Sequence, residues 1–150
     1  MGNERQSSFK GREMPDMLRS ESNKTSRFEV TCIMKYFVDK PQVVAMGHTR
    51  FYEFQKGIID YENDENPHWK DDSLYLEDET VIELDLDSLF AETLENYDFM
   101  GDNFVNRQDW ERIAACALKA GGIWKEVIEI LSPWVENTFS KYDYFTIIGM

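Results

Sequence analysis

Cysteine, proline and long apolar runs are all scarce in this chain. Its two cysteines, Cys32 and Cys116, lie far apart and each stands among apolar residues, which excludes a disulfide framework and a zinc site of paired cysteines. We expect both thiols to be buried and reduced, as in a reducing compartment. No apolar run approaches the roughly 18 residues that a membrane span needs, and no secretory signal follows the first basic residues. These absences favour a cytoplasmic protein that does not bind membranes.

Sequence motifs of catalysis and cofactor binding are missing as well. The chain contains no GxSxG, HExxH, P-loop or GxGxxG pattern, each of which marks a specific chemistry. His48 and His68 are the candidates for acid–base work near neutral pH, and neither stands beside a recognisable nucleophile. We therefore expect no cofactor, and we favour binding over catalysis.

One segment resembles a calcium loop in the spacing of its oxygen-bearing residues, which are Asp60, Glu62, Asp64, Asn66, His68 and Asp71. A loop of the EF-hand type needs glycine at its sixth position, where Glu65 stands, and glutamate at its twelfth, where Asp71 stands. The flanking residues do not predict the required helices. We therefore expect a plain acidic loop and no metal.

Two pairs of carboxylates leave a small metal-dependent hydrolase open as an alternative. Glu83 and Asp85, and likewise Asp85 and Asp87, are two residues apart on a predicted strand, so each pair faces the same side. Such pairs serve hydrolysis or magnesium binding. No basic residue nearby completes a set for phosphoryl transfer.

Acidic residues are abundant and unevenly distributed. The chain has 29 Asp and Glu against 16 Lys and Arg; residues 1–27 carry a net charge of +2 and residues 28–150 a net charge of −15. Such a field repels nucleic acid and anionic membranes and attracts basic surfaces. Residues 1–27 are polar and lack periodicity, which predicts a disordered tail or a cloning remnant. Residues 28–150 predict a single domain.

Extended segments are predicted from β-branched and aromatic residues and from apolar alternation. In the clearest alternation, Ile82, Leu84 and Leu86 alternate with Val81, Glu83 and Asp85, which predicts a strand with one buried face. The predicted strands are 28–38, 42–46, 73–76, 80–86 and 142–148. Residues 49–56 predict an extended or helical piece, and residues 60–72 predict a polar loop.

Helical periodicity dominates the second half of the chain. The clearest helix begins at a capping Asp109, and its apolar stripe consists of Trp110, Ile113, Ala114, Ala117 and Leu118. The predicted helices run from Asp87 or Ser88 to about Asp98, from Asp109 to Gly121, from Ile123 to Leu131, and onward from Ser132-Pro133, with Gly101-Asp102-Asn103 as a stop. These elements predict an α+β fold, in which an antiparallel or mixed sheet packs against three to four helices as a single pair of layers.

Acidic and aromatic residues interleave most densely between residues 60 and 87. Tyrosine and tryptophan offer much contact area for little entropy, and carboxylates around them steer a basic partner. The alternative for each ring is ordinary packing, which we expect for the tryptophans on the helix stripes. The predicted partner-binding residues are Tyr61, Glu62, Asp64, Trp69, Asp71, Asp72, Tyr75, Glu77, Asp78 and Glu79.

The segment from Asp109 to Met150 (DWERIAACALKA…WKEVIEILSPWVENTFSKYDYFTIIGM) resembles the immunity proteins of bacterial polymorphic-toxin and contact-dependent inhibition systems. The resemblance is one of overall character, that of a small acidic α+β domain rich in Trp and Tyr. It implies that the chain binds a basic cognate toxin and blocks its active site. A nucleic-acid mimic of the anti-restriction type is the alternative, which the clustering of acids at 60–87 disfavours.

Overall fold

The computed structural model describes residues 35–149, all within one compact unit, Met34–Met150. The predicted tail, residues 1–27, lies outside the described residues. In chain order the elements are α1 (Lys40–Met46), β1 (Phe51–Lys56), β2 (Leu74–Glu77), α2 (Asp78–Leu84), α3 (Leu86–Thr93), β3 (Asp102–Asn106), α4 (Arg107–Ala120), α5 (Gly122–Phe139) and β4 (Tyr144–Ile148).

The four strands form one antiparallel sheet in the order β2-β1-β4-β3. Phe54 of β1 lies opposite Leu74 of β2 on one side and Ile147 of β4 on the other, and Val105 of β3 lies opposite Phe145 of β4. The predicted α+β class with an antiparallel sheet is thereby confirmed. Across residues 35–149 the sheet is accompanied by five helices, one more than the upper end of the expected range.

Helices α3, α4 and α5 cover one face of the sheet. Phe54 packs edge-on against Phe90 of α3 with ring centroids 6.4 Å apart. Phe145 meets Trp110 of α4 at 6.0 Å and Trp134 of α5 at 5.7 Å. All five side chains are buried, so these rings form the main core, as the stripe positions of the two tryptophans predict.

The opposite face of the sheet is covered by α1 and by the connection between β1 and β2. Val43 of α1, Phe51 of β1 and Tyr75 of β2 form a second apolar cluster, and Val38 and Trp69 pack against it. Because side chains alternate along a strand, β1 is buried on both faces. On this face α1 and a loop cover the sheet, whereas three helices cover the other face.

The predicted strand at 42–46 is wrong, because these residues belong to α1. Asp39 accepts the backbone N–H of Gln42, and the Gln42 side chain accepts the backbone N–H of Asp39. This capping box, with Pro41 in the first turn and Gly47 left-handed at φ 75°, sets both ends of a short helix. Of the extended and helical alternatives left open for 49–56, the structure shows the extended one, β1. Of the predicted strand 28–38, residues 28–34 lie outside the described residues, and Val38 forms an isolated bridge with Tyr75.

The predicted strand at 80–86 is also wrong. Residues 78–84 form α2, and Asp85, at φ 55°, turns the chain into α3. Ile82, which the alternation places inward, is 73% exposed, while Val81 is buried. Asp78 and Glu79 stand in the first turn of α2, where negative charge interacts favourably with the helix dipole.

Three helix boundaries differ from the prediction. Asn106, and not Asp109, is the N-cap of α4, and Asp109 completes the capping box at the third helical position. The segments 123–131 and 132 onward are one helix, α5, which contains Pro133.

The predicted stop at Gly101-Asp102-Asn103 is the start of β3, a strand that the sequence did not predict. The helix begun near Asp87 ends at Thr93, and the strand near the C-terminus is confirmed as β4.

Candidate functional site

The loop between β1 and β2, residues 60–72, is named here the acidic loop. Its carboxylates fold it locally. Asp60 accepts the backbone N–H groups of Glu62 and Asn63, each at 3.1 Å, and Asp64 accepts that of Asn66 at 3.0 Å. These are the short-range bonds by which aspartate stabilises turns. Hydrogen bonds from the side-chain amide and backbone of Asn63 lower the pKa of Asp60.

Glu53, a buried carboxylate in the middle of β1, accepts hydrogen bonds from the end of the acidic loop. Its side chain is 4% exposed. One oxygen accepts the backbone N–H of Trp69 at 2.8 Å, and the other accepts that of Lys70 at 2.9 Å and the Ser73 hydroxyl at 2.7 Å. The amide of Gln55 donates to the same oxygen at 3.1 Å. Glu53 therefore ties Trp69, Lys70 and Ser73, at the end of the connection between β1 and β2, to the centre of the sheet.

Trp69 is held in a left-handed backbone conformation, at φ 60°. Its half-buried ring stacks on Tyr75 with centroids 5.6 Å apart and meets the edge of Phe51 at 6.5 Å. The Lys40 ammonium of α1 donates to the Trp69 carbonyl at 2.6 Å. Left-handed backbone costs a non-glycine residue about 1–2 kcal/mol. Strain of this kind persists only where the surroundings enforce it, and it concentrates at functional sites.

Three open clefts meet at the Trp69 ring. One, of about 300 Å³, runs between Trp69, Val43 and His48; a second, of about 380 Å³, lies between Trp69, His68 and Asp71. The third, of about 410 Å³, extends from Trp69 and His68 to Ile148 on β4. Trp69 thus stands as a partly exposed ring in the middle of a concave region.

Both histidines lie beside this ring, and each has a hydrogen-bond partner. The His48 ring stacks on Phe51 at 4.7 Å, accepts the Arg50 backbone N–H at Nδ1 and makes a contact of 3.2 Å from Nε2 to Glu77. Because Nδ1 accepts, Nε2 carries the proton and donates to the carboxylate. His68 is 3.2 Å from the Tyr61 hydroxyl.

Some of the predicted partner-binding residues gather around Trp69. Tyr61 is 56% exposed and donates its hydroxyl to Asp102 of β3, a bond that raises the pKa of Tyr61 to about 12. Asp64 forms an ion pair with Lys70. Asp71 lies 3.6 Å from the Lys40 ammonium, but its side chain is almost fully exposed, so the pair contributes little.

The remaining predicted residues differ in their accessibility. Tyr75 is fully buried at 0% exposure; its placement in the interface is wrong, because alternation along β2 points it into the second core cluster. Glu77 reaches the site through His48, and Asp78 lies 4.0 Å from Arg50. Glu62, Asp72 and Glu79 are exposed.

Glu53, Lys40 and Lys70 are not among the residues predicted for the site. A charged residue between apolar neighbours in FYEFQK is the available signal for Glu53. The two lysines could be counted but not placed. They bring positive charge into the acidic loop, so its surface carries both lysines and carboxylates and not a uniform row of carboxylates.

The carboxylate pairs at 83–87 do not share one side of a strand. Glu83 lies in α2, Asp85 is the corner between helices, and Asp87 lies in α3. Asp87 accepts the hydroxyls of Tyr97 at 2.6 Å and Tyr52 at 3.1 Å. Within residues 35–149 no group of three or more histidine, cysteine, aspartate or glutamate side chains is placed to hold a metal ion.

Cys116 is half-buried, and the expected full burial of this thiol is therefore wrong; Cys32 lies outside the described residues. Burial and a hydrogen bond to Glu92 raise the pKa of the Cys116 thiol. Among the helices of the described part of the chain, none combines the length and apolar character that crossing a membrane requires.

Comparisons with protein-family models, with curated proteins and with solved structures give no match for this chain.

Proposed function

We propose that this chain is a protein-binding module of the inhibitor or immunity type, which holds a basic partner protein at the surface around Trp69. We name as the Trp69 surface Trp69 with Tyr61, Glu62, Asp71 and Asp72. The observation that supports the proposal is the left-handed Trp69, held by the buried Glu53. Stacking on Tyr75 offsets part of the cost of this backbone conformation, and a binding surface gains a rigid, partly exposed aromatic anchor from it.

The surroundings of Trp69 fit a protein partner. The clefts on its flanks are open and shallow, and they have apolar walls such as Val43 and Ile148. Tyr61 adds a second exposed ring. Interfaces concentrate their affinity in a few such rings, surrounded by polar residues that exclude water.

Charge favours a basic partner. Residues 28–150 carry a net charge of −15. Asp71 lines one cleft together with Trp69, and Glu62 and Asp72 are further exposed carboxylates of the acidic loop. Charges at the rim of an interface mainly speed association and make it sensitive to salt. Lys40 and Lys70 interrupt the carboxylates, which favours a protein surface over mimicry of a regular phosphate backbone. With the resemblance to immunity proteins, these points support a basic toxin as the partner.

The test is whether a gene beside this one encodes a product toxic to cells and whether this chain protects cells from that product, together with binding measured between the two purified proteins. We expect Trp69→Ala to weaken binding at least about thirtyfold, since central aromatic residues contribute about 2 kcal/mol or more. Reversal of Asp71 and Asp72 to lysine should slow association and reduce its dependence on salt.

The matched controls are Ile123→Ala, which truncates a side chain 51% exposed at the start of α5, and Glu111→Lys on α4. Both should leave binding and protection unchanged. If Trp69→Ala is folded and protects cells as well as the wild-type chain, the Trp69 surface is not the binding site. If the wild-type chain neither binds the neighbouring product nor protects against it, the immunity function is refuted.

A further inference from the structure

The two edges of the sheet are finished differently. At the β2 edge, Val38 takes both outward backbone groups of Tyr75: the Val38 N–H donates to the Tyr75 carbonyl at 2.8 Å, and the Tyr75 N–H donates to the Val38 carbonyl at 2.9 Å. This edge is therefore closed by a segment of the chain itself.

At the β3 edge the ladder leaves backbone groups unpaired. Gly149 donates its N–H to the Gly101 carbonyl at 2.9 Å. Bonded pairs recur at every second residue of an antiparallel ladder, so Asn103 and Val105 also bond to β4. Asp102 and Phe104 then direct their N–H and C=O groups away from the sheet. No hydrogen-bond partner from residues 35–149 reaches these groups.

The free edge opens into a cleft of about 330 Å³ between β3, the end of α3 and the start of α4. Its walls carry the carboxylates of Glu95, Asp102 and Asp109. Arg112 also lines the cleft, but its guanidinium is paired with Asp109 and donates to the Thr93 carbonyl at 3.3 Å. Because this pair also neutralises Asp109, Glu95 and Asp102 carry the net negative charge of the cleft.

The wider surroundings have the same sign. Residues 78–111 hold eleven acidic residues and a single basic one, Arg107. Phe104, 46% exposed, offers an apolar contact at the edge. The cleft thus combines unpaired strand groups, one exposed ring and a negative field.

We propose that the β3 edge binds an extended, basic segment of a partner protein, which adds to the sheet as a fifth strand. The backbone groups of Asp102 and Phe104 would supply four hydrogen bonds, and alternate lysine or arginine side chains of the segment would meet the cleft carboxylates. The N–H of Asn106 is taken by Asp109 in the α4 capping box, so pairing ends there. Asp102 accepts the hydroxyl of Tyr61, so the cleft adjoins the Trp69 surface at that contact. Trp69 itself does not line the cleft, and the inference does not depend on its role.

The negative charge of the cleft favours a basic segment of a partner protein over a second copy of this chain. Pairing β3 with β3 of another copy would bring Glu95 and Asp102 of both molecules together, and each chain has a net charge of −13. Like charges across paired strands are destabilising. The same carboxylates prevent self-association at an open edge and attract a strand of opposite charge.

The test uses an eight-residue peptide of alternating lysine and valine, titrated into the folded protein and followed by amide NMR. We expect the largest changes at Asp102 and Phe104, with slowed exchange of their N–H protons. The same peptide methylated on every backbone nitrogen has the same charge but can donate no backbone hydrogen bond to the ladder from either of its edges. It should bind at least about tenfold more weakly, since two or more hydrogen bonds are lost.

Two substitutions at one position separate backbone from side chain. Phe104→Pro removes an outward N–H, which an edge strand tolerates, and should weaken binding about tenfold, whereas Phe104→Ala should weaken it about threefold or less. Glu95→Lys should abolish binding, and Glu111→Lys, outside the cleft, should not. Trp69→Ala should leave peptide binding unchanged, so failure of the Trp69 surface is recognised separately.

Several outcomes overturn the inference. Equal binding of the methylated peptide shows attraction by charge alone, without strand addition; this arm uses the wild-type chain and decides the question even if Phe104→Pro does not fold. Absence of binding at millimolar peptide, or changes confined to residues outside β3, also refutes it. A wild-type dimer that Phe104→Pro dissociates assigns the edge to a second copy.

Discussion

Replacing Glu53 with glutamine should destabilise the protein by about 3 kcal/mol, although the side chain keeps its size. The two oxygens of Glu53 accept hydrogen bonds from Trp69, Lys70, Ser73 and Gln55 at 3.1 Å or less. Glutamine has one acceptor oxygen, and its amide group must face a backbone N–H. A buried donor left without a partner costs about 1–3 kcal/mol, and the remaining bonds lose their charge assistance, which is roughly half of their strength.

Urea unfolding followed by circular dichroism measures this loss. With a slope of about 2 kcal/mol per molar urea, the Glu53→Gln midpoint should fall by about 1.5 M. Hydrogen exchange at the amides of Trp69 and Lys70 should accelerate in the folded state, because these are the donors that lose their acceptor.

A matched control is Thr138→Val, at a buried polar residue whose hydroxyl bonds to the Trp134 carbonyl one helical turn away. Such back-bonds add little stability, so its cost should stay below about 1 kcal/mol. A Glu53→Gln midpoint within about 0.3 M of the wild-type value at the same slope, with both loop amides still protected, would refute the stabilising role of Glu53.

Three further predictions concern the rest of the fold. Asn106→Ala removes the α4 capping box and should cost about 1 kcal/mol in urea unfolding; an unchanged midpoint would refute the role of the cap. Trp134 is buried with an indole N–H that has no partner within the described residues, whereas Trp124 donates its own to the Leu84 carbonyl at 2.8 Å. Trp134→Phe should therefore cost less than Trp124→Phe despite its deeper burial, and the reverse order would contradict this. Burial, and then Asp87, raise the pKa of Tyr52 and Tyr97. The neutral hydroxyl is favoured in the folded state, so this stability is complete below pH 10 and is lost as the pH rises above it; urea midpoints from pH 8 to 11 should fall less steeply in Tyr97→Phe.

The elements predicted from sequence are those with a strong local signal. The α4 stripe, the aromatic run of β4 and the strand predicted at 73–76, which is β2, follow from periodicity and residue type. The error at 80–86 arose because a short apolar alternation favours a strand, and the error at 42–46 arose because the apolar residues there fit neither a strand period nor a helix period cleanly. In each case the helix is decided by its ends: the Asp39 capping box in α1, and the left-handed Asp85 after α2.

The candidate site was predicted in part. The acidic loop and Trp69 could be found because aromatic and acidic residues are adjacent in sequence. Glu53, His48 and Lys40 come to Trp69 through tertiary contacts, which a single sequence does not encode locally. The burial of Tyr75 likewise depends on which face of β2 the loop covers. The open edge of β3 follows from hydrogen-bond register, which no local pattern reveals.

The peptide units around Trp69 are fixed from two directions, by Glu53 at the N–H and by Lys40 at the carbonyl. This double attachment has a kinetic consequence. A loop that is already ordered loses little conformational entropy when a partner docks, so no slow folding step has to accompany association. The rate of association at the Trp69 surface should then be governed by diffusion in the electric field of the protein, and affinity differences among partners should appear in how long each complex lasts.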